Sequence, residues 1–557
     1  MIKSSFSPSL VEDLACSTSM QRSVLKMLKR IWSLGLILIC IIAIFSITVM
    51  ADNAKPTPTP AVNTEELNTA LLTSCQNGDS AQVEQLLSQG ADVNTSDKDG
   101  RTPLINAAEK GDAASVKLLL EKGALVEAKI KTGWTPIMFA ASSGSSEIVT
   151  LLIEKNANIN IKARKGTTEV TTPLLTAAEN GNAAIVEILL EKGASTNDLN
   201  PALTLATVKN SPDTVKLLLD KGADANSKDT LAQTPLILAA DSGAADVAPL
   251  LIDAKADVNA KRNNGQTALM LAAQKGSHAF VKLLLEKGAD VNIKGSKGET
   301  ALVFAVQENQ PEIVKMLLAK DADVNAKQNL GQPPILIAAN KNYTEIIKLL
   351  LPKNINPEDF TTALNMAAVN GNQEVADALL SKGIKPEQCG EALCLAARYG
   401  KNDVINLFIS KGIDINVKVN DKNFRGKAMG FWTPLMYAAY YGQTDTVKLL
   451  LAQKKIKVNE PDDFYGYTAL INATEKGFKE IVQLLADNKA NLNAKDGNDF
   501  TALMYAAKKN DVEIAKILVD KKANVNVKTT KGETALSIAT AANATQIVEL
   551  LKAAGAK

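Results

Sequence analysis

From Asp97 to Asn160 one arrangement of apolar and polar positions is written twice. In the first copy, DKDGRTPLINAAEKGDAASVKLLLEKGALVEAK (97–129), Leu104, Ala107 and Ala108 fall on one helical face. Val116, Leu119 and Leu120 then recur at helical spacing on a second face. Thr102 is placed to accept a backbone N–H at the start of the first helix, and Pro103 supplies the first helical φ where no donor is lost. Gly111 and Gly123 end the two helices. The pattern predicts a helix, a turn, a second helix and a polar hairpin tip that leads into the next Thr-Pro pair.

The Thr of that pair repeats outward along the chain. Its position falls at Thr69, Thr102, Thr135, Thr172, Pro201, Thr234, Thr267, Thr300, Pro333, Thr362, Glu391, Thr433, Thr468, Thr501 and Thr534, fifteen copies in all. A fixed period of this length predicts an all-α solenoid, in which each unit buries its apolar face only against its neighbours. The usual step is 33 residues, shrinking to 29 before Pro201, Thr362 and Glu391. It stretches to 37 before Thr172 and to 42 before Thr433, where VKVNDKNFRGKAMGF (417–431) is inserted. The short units predict a flattened or bent stack, with one arm over 65–360 and another over 361–557. The final helix carries Thr545, Gln546, Glu549 and Lys552, the polar face expected of a terminal cap.

The matches TPLILAADSG (234–243), TALMLAAQKG (267–276), LLLEKGADVN (283–292) and TPLMYAAYYG (433–442) closely resemble the ankyrin repeat. The resemblance covers about 490 of the 557 residues. It implies stacked helix-turn-helix units with short β-hairpin tips along one edge, and protein binding along the face of tips and first helices. The family's His after Thr-Pro-Leu is replaced by Ile105, Met138, Leu175, Ile237, Met270 and Met436, so apolar packing is expected where that family makes a hydrogen bond.

Ahead of the repeats, residues 31–50 (IWSLGLILICIIAIFSITVM) are twenty residues without a charge, long enough to cross a bilayer. Arg22, Lys26, Lys29 and Arg30 precede them in a basic leader, 1–30, so the expected orientation puts the repeats outside the cytoplasm. Residues 31–51 read as a transmembrane signal anchor. Val49-Met50-Ala51 offers the alternative of a cleaved signal, which would release the repeats to the periplasm or the medium. The Thr/Pro stretch 52–64 reads as an extended spacer.

Charge and chemistry narrow the function. The net charge is +2 and only seven residues are Arg, so the chain lacks the basic face a nucleic-acid binder needs. Cys16, Cys40, Cys75, Cys389 and Cys394 show no metal-ligand spacing; Cys389 and Cys394 read as small apolar residues, not as a bridge. The one His, His278, stands before a second helix as a surface or capping residue, which leaves no member for a Ser-His-Asp or Cys-His arrangement. No phosphate loop is present. No catalytic residue, metal ligand or cofactor is assigned, and the expected partners are proteins, with the membrane engaged through residues 31–50.

Aromatic residues are scarce, yet eleven of the twenty beyond residue 51 fall between Tyr399 and Tyr467. Phe408 and Tyr437 read as core. Trp432 and Tyr467 precede the capping Thr, Phe464 and Tyr465 sit at a tip, and Tyr399, Tyr440 and Tyr441 end first helices. Trp134 and Phe500 hold the place of Trp432 in other repeats. Clustered, exposed Tyr and Trp are typical of an interface. The expected protein-binding surface is therefore Tyr399, Trp432, Tyr440, Tyr441, Phe464, Tyr465, Tyr467 and Phe500. The competing expectation for these rings is a small core under the insertion. For the chain as a whole, the alternative to a binding scaffold is a structural spacer at the cell envelope.

Overall fold

The structure is a computed structural model that describes residues 63–166, 169–329, 331–420 and 431–557. The leader, the hydrophobic run 31–51, nearly all of the Thr/Pro spacer, Cys16, Cys40 and Phe424 lie outside the described residues. So does the N-terminal hydrophobic helix expected from sequence; no described helix is long and apolar enough to cross a membrane. The chain divides into two compact units, Met1–Ile130 and Lys131–Lys557.

In the first unit, Thr64–Asn77 packs on Pro103–Lys110, and Ser80–Ser88 packs on Ala113–Glu121. The second unit repeats that arrangement: each first helix, from Pro136–Ser143 to Ala535–Ala541, packs on the next first helix. The described residues thus form fifteen helix pairs. Paired alanines such as Ala272 and Ala273 are wholly buried and let the first helices approach closely, while Val281 and Leu284 anchor the second helix of the same repeat. In the last described helix Ile547 and Leu551 are buried, whereas Thr545, Gln546, Glu549 and Lys552 are exposed.

The capping expected at the repeated Thr is present in most repeats. Thr102, Thr172, Thr234, Thr267, Thr300, Thr433, Thr468, Thr501 and Thr534 each accept the backbone N–H three residues on. Thr135 makes no such bond. Four anchor positions lie inside helices instead: Thr69 in Thr64–Asn77, Pro201 in Leu199–Val208, Thr362 in Pro357–Asn370 and Glu391 in Gly390–Arg398. There the helix starts early, from Asn63 as cap or Pro357 as first residue, and the hydroxyls of Thr69 and Thr362 donate to the carbonyls of Glu65 and Glu358.

The tips also depart from expectation. Among the described residues, paired strands occur only in the two stretched repeats, Ala163–Lys165 with Glu169–Thr171 and Val419–Asn420 with Phe431–Trp432. Elsewhere the described tips are turns, because the standard unit leaves too few residues on either side to form a ladder. Tips are joined to one another instead: the N–H groups of Arg164, Asn263, Ser296, Asn329 and Gly497 donate to the carbonyls of Thr132, Leu231, Asn264, Lys297 and Tyr465 in the preceding tip.

A second line of bonds runs through the Asn of the GADVN segments. Asn292 donates to the carbonyl of Asp321 at 3.2 Å and accepts the N–H of Asp323 at 2.8 Å. Asn226 does the same to Lys255 and Asp257, Asn325 to Asn354 and Asn356, and Asn459 to Lys489 and Asn491. One amide side chain therefore satisfies a donor and an acceptor in the next repeat, groups that backbone ladders would otherwise serve.

Candidate protein-binding surface

Two expected surface residues are core. Trp432 is 4% exposed and Tyr440 7%. The strand Phe431–Trp432 alternates, turning Phe431 outward and Trp432 inward, where the indole meets Tyr437 at 5.3 Å and Tyr440 at 5.1 Å between ring centroids. Tyr440 is capped in turn by the Lys476 ammonium, 4.1 Å from its ring centre. With Tyr437 these rings form a buried cluster beside the strand pair Val419–Asn420 and Phe431–Trp432. Phe408 and Tyr437 are core as read.

The remaining rings reach solvent to different degrees. Tyr399 is 45% exposed, Phe464 60% and Tyr465 40%, and Phe431, which sequence reasoning did not select, is 38% exposed. Tyr441, Tyr467, Phe500 and Trp134 are half-buried. Arg398 lies over the faces of Tyr399 and Tyr441, at 5.4 and 4.6 Å, so that helix ends of two consecutive repeats share one guanidinium. A second row runs Phe464, Tyr465, Tyr467, Tyr505, Phe500, with successive centroids 5.5–6.5 Å apart.

Buried carboxylates hold the second row. Asp462 accepts the N–H groups of Phe464, Tyr465 and Tyr467, fixing the DFYGY tip. Asp496 accepts from the N–H groups of Asn498 and Phe500 and, at 2.6 Å, from the Tyr505 hydroxyl, which lies 3.0 Å from that of Tyr467. Burial and the adjacent Asp496 push the Tyr505 pKa well above the ordinary phenol value. Lys418, next to the inserted strand, donates to Asp463 at 2.7 Å and to the Pro461 carbonyl, joining the strand base to the aromatic tip. The hydrogen bond with Asp463 raises the Lys418 pKa, so the ammonium keeps its proton at neutral pH.

His278 is half exposed at the first turn of its helix, 3.9 Å from Glu312, with Ser277 as the cap residue. Cys75, Cys389 and Cys394 are buried. Burial pushes the thiol of Cys75 up to about 12 and that of Cys389 up to about 11, so both stay protonated at neutral pH. Among the described residues no three His, Cys, Asp or Glu side chains are grouped to hold a metal ion.

Tandem helix pairs, tip-to-tip bonding and inward-facing alanine pairs define a repeat protein. The family model described as "Ankyrin repeats (3 copies)" matches in overlapping segments from residue 71 to residue 496, and "Ankyrin repeats (many copies)" matches 484–539. The chain belongs to the ankyrin repeat family. It is 46% identical over 67 residues to "Ankyrin repeat and SAM domain-containing protein 6" of Rattus norvegicus and 43% identical over 67 residues to that of Mus musculus, in each case 12% of this chain and 8% of the relative. The chain thus spans less than a tenth of the length of these relatives. Among solved structures, a human ASB11 ankyrin repeat domain is 30% identical, with a TM-score of 0.36, over 40% of this chain and 98% of that one.

Proposed function

We propose that this chain is a non-enzymatic scaffold that binds a protein partner through the exposed rings of Tyr399, Phe431, Phe464 and Tyr465, with Tyr441, Tyr467 and Phe500 at their margins. Membership in the family supports protein binding in general. The observation that carries the specific surface is distribution: all four large aromatic side chains that stand exposed among the described residues fall between Tyr399 and Tyr465. Phe464 and Tyr465 stand on a tip whose backbone is fixed by the buried Asp462, so the tip loses little conformational freedom on binding, which suits them as anchors. Trp432 and Tyr440 act beneath the surface, holding Phe431 and Tyr441 in place.

The proposal includes location. The uncharged run 31–50 behind a basic leader supports a tether, or a cleaved export signal, with the repeats outside the cytoplasm. The test of function is affinity capture from membrane and envelope extract. The full chain is compared with a variant carrying Ser at Tyr399, Phe431, Phe464 and Tyr465, both checked by circular dichroism. A protein held by the first and lost by the second supports the scaffold. Identical retention by both sinks this surface. A spacer role, favoured by the recurring Asn-mediated bonding between repeats, gains if neither retains anything specifically.

A further inference from the structure

The row of tips has a gap. The repeat of Leu199–Val208 follows a 29-residue step and has only a 3-10 turn, Thr196–Asp198, where a tip would stand. That turn reaches the preceding repeat through Asp198, which accepts the Thr172 hydroxyl at 2.9 Å. Between the hairpin before it and the tip after it lies a cleft of about 400 Å³, floored by Leu175, Pro201 and Leu205 and edged by Val170, Glu179 and Lys228.

Two independent features mark the cleft as unfinished. The first is exposure of its floor. The residue three places after the anchor Thr is 0–1% exposed in Ile105, Met138, Ile237, Met270 and Met436, but Leu175 in the same position is only half-buried. Loss of a tip alone does not cause this. Leu336 also precedes a repeat without a tip, and there the longer helix Pro357–Asn370 accompanies 7% exposure.

The second feature is a strand edge. Arg164 gives its N–H to the carbonyl of Thr132 and its carbonyl to the indole N–H of Trp134, so both of its backbone groups point away from the hairpin partner. Arg164 is paired with Val170 in the antiparallel register. In such a pair both residues turn their backbone groups outward, so the N–H and C=O of Val170 face the opposite edge, towards the cleft. In five other places a tip segment supplies an N–H to the carbonyl of the tip before it. Here the following repeat supplies none. The Val170 side chain beside this edge is 58% exposed.

We propose that the gap is a docking site for one extended peptide segment of a partner protein. The segment adds to the outer edge of Glu169–Thr171 by pairing with the N–H and C=O of Val170, and seats an aliphatic side chain on Leu175 and Leu205. It takes the place that a tip occupies in the other repeats. This is strand addition with one apolar pocket for specificity. The site is separate from the aromatic surface, so either can fail without the other.

The test is to pan a random peptide library displayed on phage against the full chain, then to titrate the recovered synthetic peptides by fluorescence anisotropy. Val170→Pro removes the outward N–H at an edge position where Pro is tolerated. Leu175→Lys charges the floor, and Val170→Thr keeps both backbone groups. Circular dichroism and thermal melting confirm that each variant is folded. The expected result is a set of peptides sharing an aliphatic residue. Their affinity should fall at least about tenfold with Val170→Pro and with Leu175→Lys, and stay within about threefold with Val170→Thr. The proposal is overturned if no recovered peptide loses affinity to both.

Discussion

Lys418 donates to Asp463 at 2.7 Å, across 45 residues of sequence, and so fastens the base of the inserted strand to the tip that carries Phe464 and Tyr465. Both side chains are partly exposed, at 26% and 49%, which limits the energy of the pair to about 0–1 kcal/mol. Its consequence is positional. Lys418→Met is expected to leave the urea midpoint almost unchanged while weakening capture of the partner several-fold. Equal capture by both proteins would show that the tip needs no fastening.

The repeated Thr is not one kind of residue. Thr267 accepts the Met270 N–H and caps its helix, whereas Thr362, at the same place in the repeat, donates to Glu358 inside a helix that began five residues earlier. Thr267→Ala should cost about 1 kcal/mol. Thr362→Ala should be neutral or slightly stabilising, since Ala suits a helix interior better. Urea denaturation of the two variants decides it, and equal losses would contradict the assignment.

This pair also shows how far the sequence could be read. The period, the alanine pairs and the stop glycines specify helix pairs because those signals are local. Helix starts were legible where the step was 33 residues and lost where it was 29, because at Pro201, Thr362 and Glu391 the helix begins upstream of the anchor, at Leu199, Pro357 and Gly390. Ring burial was legible by position for Phe408 and Tyr437, but not for Trp432 and Tyr440. Strand alternation after the insertion turns Trp432 inward, and Lys476 from the next repeat covers Tyr440. The Asn of GADVN was visible as a motif, while its role needed the neighbour 29–31 residues on.

Asn292→Ala removes a donor to Asp321 and an acceptor for Asp323. The expected loss is about 1 kcal/mol, because water replaces part of what is lost in an exposed loop. Asn292→Asp keeps the acceptor and loses the donor, so it should fall between Ala and the natural residue. Hydrogen exchange at the Asp323 amide gives the local reading: faster with Ala, near normal with Asp.

The buried thiols set the alkaline limit. Cys75 and Cys389 hold their protons to about 12 and about 11 in the folded chain, against 9.0 for an ordinary thiol. Above about pH 9 the unfolded chain ionises and the folded chain does not, so stability present below pH 9 is lost as pH rises through these values. The urea midpoint should therefore fall from about pH 9 upward, and Cys75→Ala together with Cys389→Ala should flatten the fall. At neutral pH both thiols should resist iodoacetamide until urea is added.

The most direct test of the binding surface is photocrosslinking in cells. p-Benzoylphenylalanine is placed singly at Tyr399, Phe464 or Tyr465, and as a control at Glu345, an exposed position on a second helix. A discrete crosslinked protein common to the three aromatic sites and absent from the control is the predicted result. No crosslink at any of the three, or the same product from Glu345, would contradict a binding face built from these rings.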